Sequence, residues 1–315
     1  MFKNTGKPFL TYEEQLQNLQ QNKLLIVNNP AYAISKLQEI RYFALIDGYK
    51  DLFYNPMTRQ YLPHTTFEDI VYLYNFDEKL RLLVFQYLNH FEQKIRSYVS
   101  YYFCDTYSSA QSDYLNPANY NTTPKNQDGI SKLIKILNKE ANYNNTHPYI
   151  VYQRKTHNNV PLWVLVNTLT FGQISKMYSF LPNNIQAKIS LQFHSVNEKE
   201  LLQYLKVLTD FRNVCAHNER LFSFRCRAAI PNTILHKKMD LSKIGSYYRS
   251  GKNDMFALVI AFRYLLNKED FLQFKKGLCK LLISFSKCTP SGCKEKLLDA
   301  MGFPNNWFSI TKYKF

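Results

Sequence analysis

Glycine is scarce in this chain, with 9 residues among 315, and proline adds only 12. A fold of many short strands needs turn residues at nearly every corner, so the shortage argues against a β-sandwich or barrel. Cysteine is also thinly spread. Cys104, Cys215, Cys226, Cys279, Cys288 and Cys293 are scattered through a chain too long to need disulfide staples. Cys288 and Cys293 have no second pair to match them, so no zinc site is expected, and neither is another metal or a cofactor. Long apolar runs are missing as well: Leu162 to Phe171 and Phe256 to Phe262 come nearest, well short of the roughly 18 residues of a spanning helix. Met1 to Pro8 lacks the apolar core of a signal peptide, so a soluble cytoplasmic protein without membrane contact is expected. Acidic residues are the last shortage. With 24 of them against 40 Lys and Arg, the net charge is +16, which favours a polyanionic partner.

What is present reads as helix, with 45% hydrophobic residues to build a core. Thr11 is placed to cap a first helix, Glu14 completing a capping box and Leu16, Leu19, Leu24 and Leu25 turning inward. A second helix is expected from Ala31 to Leu45, burying Ala33, Leu37, Ile40 and Ala44. The longest periodic segment runs from Thr66 to Tyr107, with Asp77 placed to cap a fresh helix should the chain break near Asn75. Glu92 and Arg96, four apart on it, read as a structural pair. Asn-rich loops over 116–126 and 142–147 bracket a basic helix over 130–139, and His147 and His157 read as solvated. Pro161 opens a buried helix, and Trp163 and Phe171 read as core residues. A helix from Glu198 to about Phe224, a helical hairpin from Met255 to Phe285, and a short helix with a basic tail from Cys293 to Phe315 complete the pattern. The expectation is an all-α protein with an N-terminal helical element (1–62), a helical core (63–290) and a C-terminal stretch (291–315), together one compact unit.

The abundance of Asn, Lys, Ile and Tyr follows an AT-rich coding bias that raises lysine without functional cause, so the placement of charge says more than its total. Residues 211–252 hold nine basic residues, Arg212, Arg220, Arg225, Arg227, Lys237, Lys238, Lys243, Arg249 and Lys252, against Glu219 and Asp240. Tyr247 and Tyr248 lie among them. Aromatics between cations can stack bases while the cations hold phosphates, though a solvated surface loop fits the same residues.

The same stretch contains Arg212, Asn213, Cys215, Ala216 and His217 on one expected helix. Arg212 and His217 are about 7.5 Å apart along its axis and about 140° apart around it. Arginine offers a forked permanent cation for phosphate, and histidine a proton that moves near neutral pH. Arg212 and Arg220 disfavour the imidazolium while Glu219 favours it. A solvated arginine and a satisfied histidine would explain the spacing equally well. Arg59 and His64 repeat it where Pro63 opposes a helix.

An ordered series of motifs goes further. It comprises Lys7-Pro8 with Thr11 to Leu16, Tyr42-Phe43 with Gly48-Tyr49, Thr66 to Ile70, Leu73 to Arg81, Glu92 with Arg96-Ser97, Pro161 to Trp163 with Phe171-Gly172, and Arg212 to Leu221. In this order it resembles the Abi-like abortive-infection family of the AbiD/AbiF type, from residue 7 to about 224, with Phe222-Ser223 where that family has a tryptophan. The family is similar to the HEPN superfamily of helical bundles, whose motif is an Arg, four to six residues, and a His. The resemblance implies a phage-defence endoribonuclease that is metal-independent and completed across a homodimer. It makes Arg212 and His217 the catalytic pair and Asn213 the polar positioner. Small Cys215 and Ala216 would let a second helix approach. Attack by a ribose 2′-hydroxyl would leave a 2′,3′-cyclic phosphate on cellular or phage RNA. The alternatives are a non-catalytic protein holding a structured non-coding RNA through the basic segment, and an infection sensor working through protein contacts.

Overall fold

The computed structural model describes residues 8–313; Met1–Lys7, where a signal core is lacking, and Lys314–Phe315 of the tail lie outside the described residues. The described chain is all-α, its strands confined to two short hairpins. The elements in order are α1 (Tyr12–Gln21), α2 (Pro30–Ile40), a π-helical segment (Phe43–Asp47), β1 (Tyr54–Asn55), β2 (Gln60–Tyr61) and α3 (Phe67–Thr106). Then come α4 (Gln111–Leu115), α5 (Gln127–Tyr143), α6 (Pro148–His157), α7 (Leu162–Leu165), α8 (Phe171–Phe180), α9 (Asn183–Ser190) and α10 (Glu198–Ala216). The chain continues through α11 (Ile234–Lys238), β3 (Lys243–Ile244), β4 (Tyr247–Tyr248), α12 (Met255–Leu265), α13 (Lys268–Cys288) and α14 (Cys293–Ala300).

The 40-residue α3 is the spine, about 60 Å long at 1.5 Å per residue. Thr66 and Asp69 close a reciprocal capping box at its start. Its inward stripe packs against α13, α10, α7, α8 and α9. No break occurs at Asn75–Asp77, because Asp77 points sideways and is consumed by contacts to other segments. A parallel bridge ties the N-terminal part to this spine, Ile26 N–H donating to Thr65 O and Phe67 N–H to Ile26 O. One contiguous apolar cluster extends from Leu16 to Ile310. No helix among the described residues is long and apolar enough to cross a membrane.

Several expectations need correction. The Thr11–Glu14 box forms, but Leu24 is 54% exposed because the chain turns through positive φ there. α2 stops at Ile40 instead of Leu45, since Arg41 adopts φ 75°, which no helix accommodates, and Ala44 belongs to the next segment. Trp163 is 51% exposed, a surface ring instead of a core one, while Phe171 is buried as expected. Arg59 and His64 both have positive φ and flank β2, so their spacing has no helical meaning. Within the C-terminal stretch, Trp307 and Ile310 pack into the core. Within the basic segment, Gly245 at φ 61° turns a two-stranded hairpin, β3–β4, where the sequence suggested only a loop.

Candidate active site

The capping box of Asn197 and Glu200 starts α10, and Leu201, Leu205, Leu208 and Phe211 anchor its inner side, all fully buried. The helical period then leaves Asn213 and Ala216 exposed and Arg212 half-buried at the rim. The helix ends at Ala216, not near Phe224. Asn218 takes the left-handed conformation at φ 55°, Glu219 N–H bonds back to Val214 O and Asn218 N–H to Cys215 O. This is a Schellman closure with asparagine in place of glycine. His217 is therefore the half-in residue that ends the helix, exposed, its N–H on Asn213 O.

The chain beyond that turn is held by a buried carboxylate on α3. Asp77 accepts the Leu221 and Phe222 N–H groups at 3.0 and 2.7 Å, the Tyr49 hydroxyl at 2.7 Å and Arg81 Nη1 at 2.6 Å. Arg81 also donates to Glu219 O, two residues past His217. Phe222, where a tryptophan was expected, is buried with its ring 6.1 Å from that of Tyr49. Arg220 donates to Gly48 O and to Asp51, both at 2.7 Å. The turn carrying His217 is thus gripped from α3 and from residues 48–51 together.

Arg212 is held by a second buried carboxylate. Glu92 directs one oxygen to Arg96 and the other to Arg212 Nε, 3.5 Å away, while Arg96 also donates to Val166 O. The Arg212 contact is ionic, since neither Arg212 Nε nor that oxygen has a hydrogen-bond partner. The guanidinium lies 5.8 Å from the Phe85 ring. One carboxylate between two guanidiniums leaves a net positive charge, with Arg212 half-buried at the rim. The Glu92–Arg96 pair is therefore more than internal bracing of α3. Neither its reach to Arg212 nor the role of Asp77 is visible in the sequence beyond the four-residue spacings Glu92–Arg96 and Asp77–Arg81.

A family model described as "Abi-like protein" matches residues 35–223, from α2 to just past the His217 turn. The chain belongs to the Abi-like protein family. Membership ties it to abortive infection, a defence against phage. No curated protein and no solved structure matches it. Both carboxylates that hold the Arg212–His217 stretch lie inside the matched span.

From Arg225 onward the basic segment lies beyond that span, and the cations of the whole segment divide into two groups. Arg220, Arg225 and Lys252 are engaged internally: Arg225 with Phe224 O and Ala300 O, Lys252 with Ile230 O and Asn232 Oδ1. Burial lowers the Lys252 amine to about 8. Arg227, Lys237, Lys238, Lys243 and Arg249 are exposed, as is Tyr247 at the hairpin tip, while Tyr248 is half-buried against His236 and under Lys243. Cys215 beneath the motif is a packing residue, its thiol pushed by burial up to about 12. Among the described residues no three His, Cys, Asp or Glu side chains gather as a metal site.

Proposed function

We propose that this Abi-like protein is an endoribonuclease of phage defence, with Arg212, Asn213 and His217 as its reactive set. The observation that carries this reading is that α10 ends on an exposed His217 and, in its last turns, carries a guanidinium held at Nε by Glu92. Tethering at Nε leaves the forked end of Arg212 to meet a phosphate. His217 removes the proton from a ribose 2′-hydroxyl, and the freed oxygen attacks the adjacent phosphorus. The P–O5′ bond breaks, solvent protonates the leaving 5′ oxygen, and a 2′,3′-cyclic phosphate remains. Arg212 balances the charge that grows on the phosphate, and Asn213 orients it. Positioned base catalysis contributes about 10² to 10⁴ in rate, and charge stabilisation about 10² to 10³.

A homodimer fits the same surface. Asn213, Ala216 and His217 are exposed on α10, and Leu82 on the adjacent α3 is 68% exposed. A second α10 can approach over Ala216 and bring two motifs together. The test is cleavage of single-stranded RNA in EDTA by wild type and by His217→Ala. Loss of cutting with unchanged folding supports the reading; equal cutting by the variant, or a strict need for metal, overturns it. The β3–β4 hairpin, with Tyr247 80% exposed among exposed cations, favours a second reading in which the protein holds a folded RNA without cutting it. Salt-sensitive binding with no cleavage product by wild type would select that reading.

A further inference from the structure

A cleft of about 650 Å³ opens between α1 and the helical segment after Arg41. That volume suits a small molecule. Phe9 and Phe43 line it while remaining 89% and 80% exposed, which is unusual for rings with no partner to cover. Lys23 and Lys50 both lie over the Tyr54 ring, 5.8 and 5.4 Å from its centroid, with Lys23 also donating to the Tyr54 hydroxyl and Lys50 paired to Asp47. Gln15 donates Nε2 to Leu10 O, which leaves its Oε1 buried and without a partner. A buried amide oxygen in that state is unfavourable until a donor reaches it.

The backbone of the cleft wall is irregular in two independent ways. Arg41 sits at φ 75° and ψ 144°, a region that glycine enters far more easily than arginine. The next residues, Phe43–Asp47, wind as a π-helix, a form rare in general and frequent at functional sites.

We propose that this cleft is a nucleotide-binding site, with the base against Phe9 and Phe43, an exocyclic amine on Gln15 Oε1, and the phosphate on Lys23 and Lys50. A purely apolar ligand would leave Gln15 Oε1 unanswered and make no use of the two lysine charges, and an inorganic anion would leave the rings unused. The cleft wall continues into the grip on the catalytic turn, through Gly48 and Asp51 on Arg220 and through Tyr49 on Asp77. Rewinding of the π-helical segment by a bound nucleotide would therefore be felt beside His217. Only this coupling rests on the ribonuclease reading; binding at the cleft stands apart from it.

The test is calorimetric titration of the full chain with AMP, adenosine, inorganic phosphate and pentaadenylate. Saturable AMP binding is expected, with adenosine and phosphate alone each at least about tenfold weaker. Phe43→Ala and Lys50→Met should each weaken AMP binding by about tenfold or more, while Arg212→Ala and His217→Ala leave it unchanged. Phe43 is mostly exposed, so its variant folds whether or not Lys50→Met does. Binding of pentaadenylate but not AMP, with the same sensitivity to Phe43→Ala, would assign the cleft to a nucleotide within an RNA strand. The proposal is overturned if no probe saturates, if Phe43→Ala binds like wild type, or if the Arg212 and His217 variants abolish binding. RNA cleavage by the wild type, scored in parallel, reports separately on the ribonuclease reading.

Discussion

Glu92 is the most exacting residue of the candidate site, because its one carboxylate answers two arginines while only 5% exposed. Removing its charge strands Arg96, itself 7% exposed, and breaking a buried pair from one side costs about 3–5 kcal/mol. Glu92→Gln is expected to lower unfolding free energy by that amount in urea denaturation. Arg212 makes the complementary point. Arg212→Lys keeps the charge but loses both the fork and the Nε tether, so cleavage should fall by about 10² or more with little change in stability. Single-turnover rates on a labelled RNA will measure it. Arg212 and His217 are singled out by the ordered family motifs, their local spacing alone being equally well explained by a solvated arginine and a satisfied histidine. The Glu92–Arg212 contact joins separate helices, and one-dimensional periodicity has no term for it.

At the scale of elements, the end of α10 was misplaced for a physical reason. A Schellman stop usually announces itself with glycine, and here Asn218 fills the left-handed position. Asn218→Gly should be nearly neutral and Asn218→Ala should cost about 1 kcal/mol, read from denaturant midpoints. The β3–β4 hairpin was missed similarly, although Gly245-Ser246 between Ile244 and Tyr247 is a recognised hairpin turn. Its base is set by fully buried His236, whose Nδ1 accepts the Thr233 N–H and whose Nε2–H faces Gly251 O. Burial depresses this imidazole from 6.5 to about 4, with Lys252 adding to the shift. Above pH 6.5 it is neutral folded and unfolded, so it adds no pH dependence there. As pH falls towards 4 only the unfolded chain takes up the proton, and up to about 3 kcal/mol of stability is lost. Melting temperature against pH should show that slope, and His236→Gln should flatten it.

Across the whole molecule, the all-α class and the helical order were legible because scarce glycine and long apolar periods are global properties. The side of each helix that meets a neighbour was less so, as exposed Trp163 illustrates. Charge behaves likewise: the excess was visible, yet Arg220, Arg225 and Lys252 are spent on internal acceptors. Any electrostatic grip on RNA should thus come chiefly from the exposed cations other than Arg225, among them Lys237, Lys243 and Arg249. Replacing Lys237 and Arg249 by alanine should reduce the slope of log affinity against log salt by about one to two, and the same change in Arg225 should leave it unaltered. Filter binding over a salt series distinguishes the two.

The Asp77 clamp has a consequence for how such a protein can be rebuilt. Tyr49 from one distant stretch of chain and Leu221 and Phe222 from another meet on it beside Arg81, one turn along α3. The geometry around His217 is accordingly owned by the tertiary fold and not by α10. Transplanted alone onto another helical scaffold, α10 would carry the letters of its motif and leave their arrangement behind.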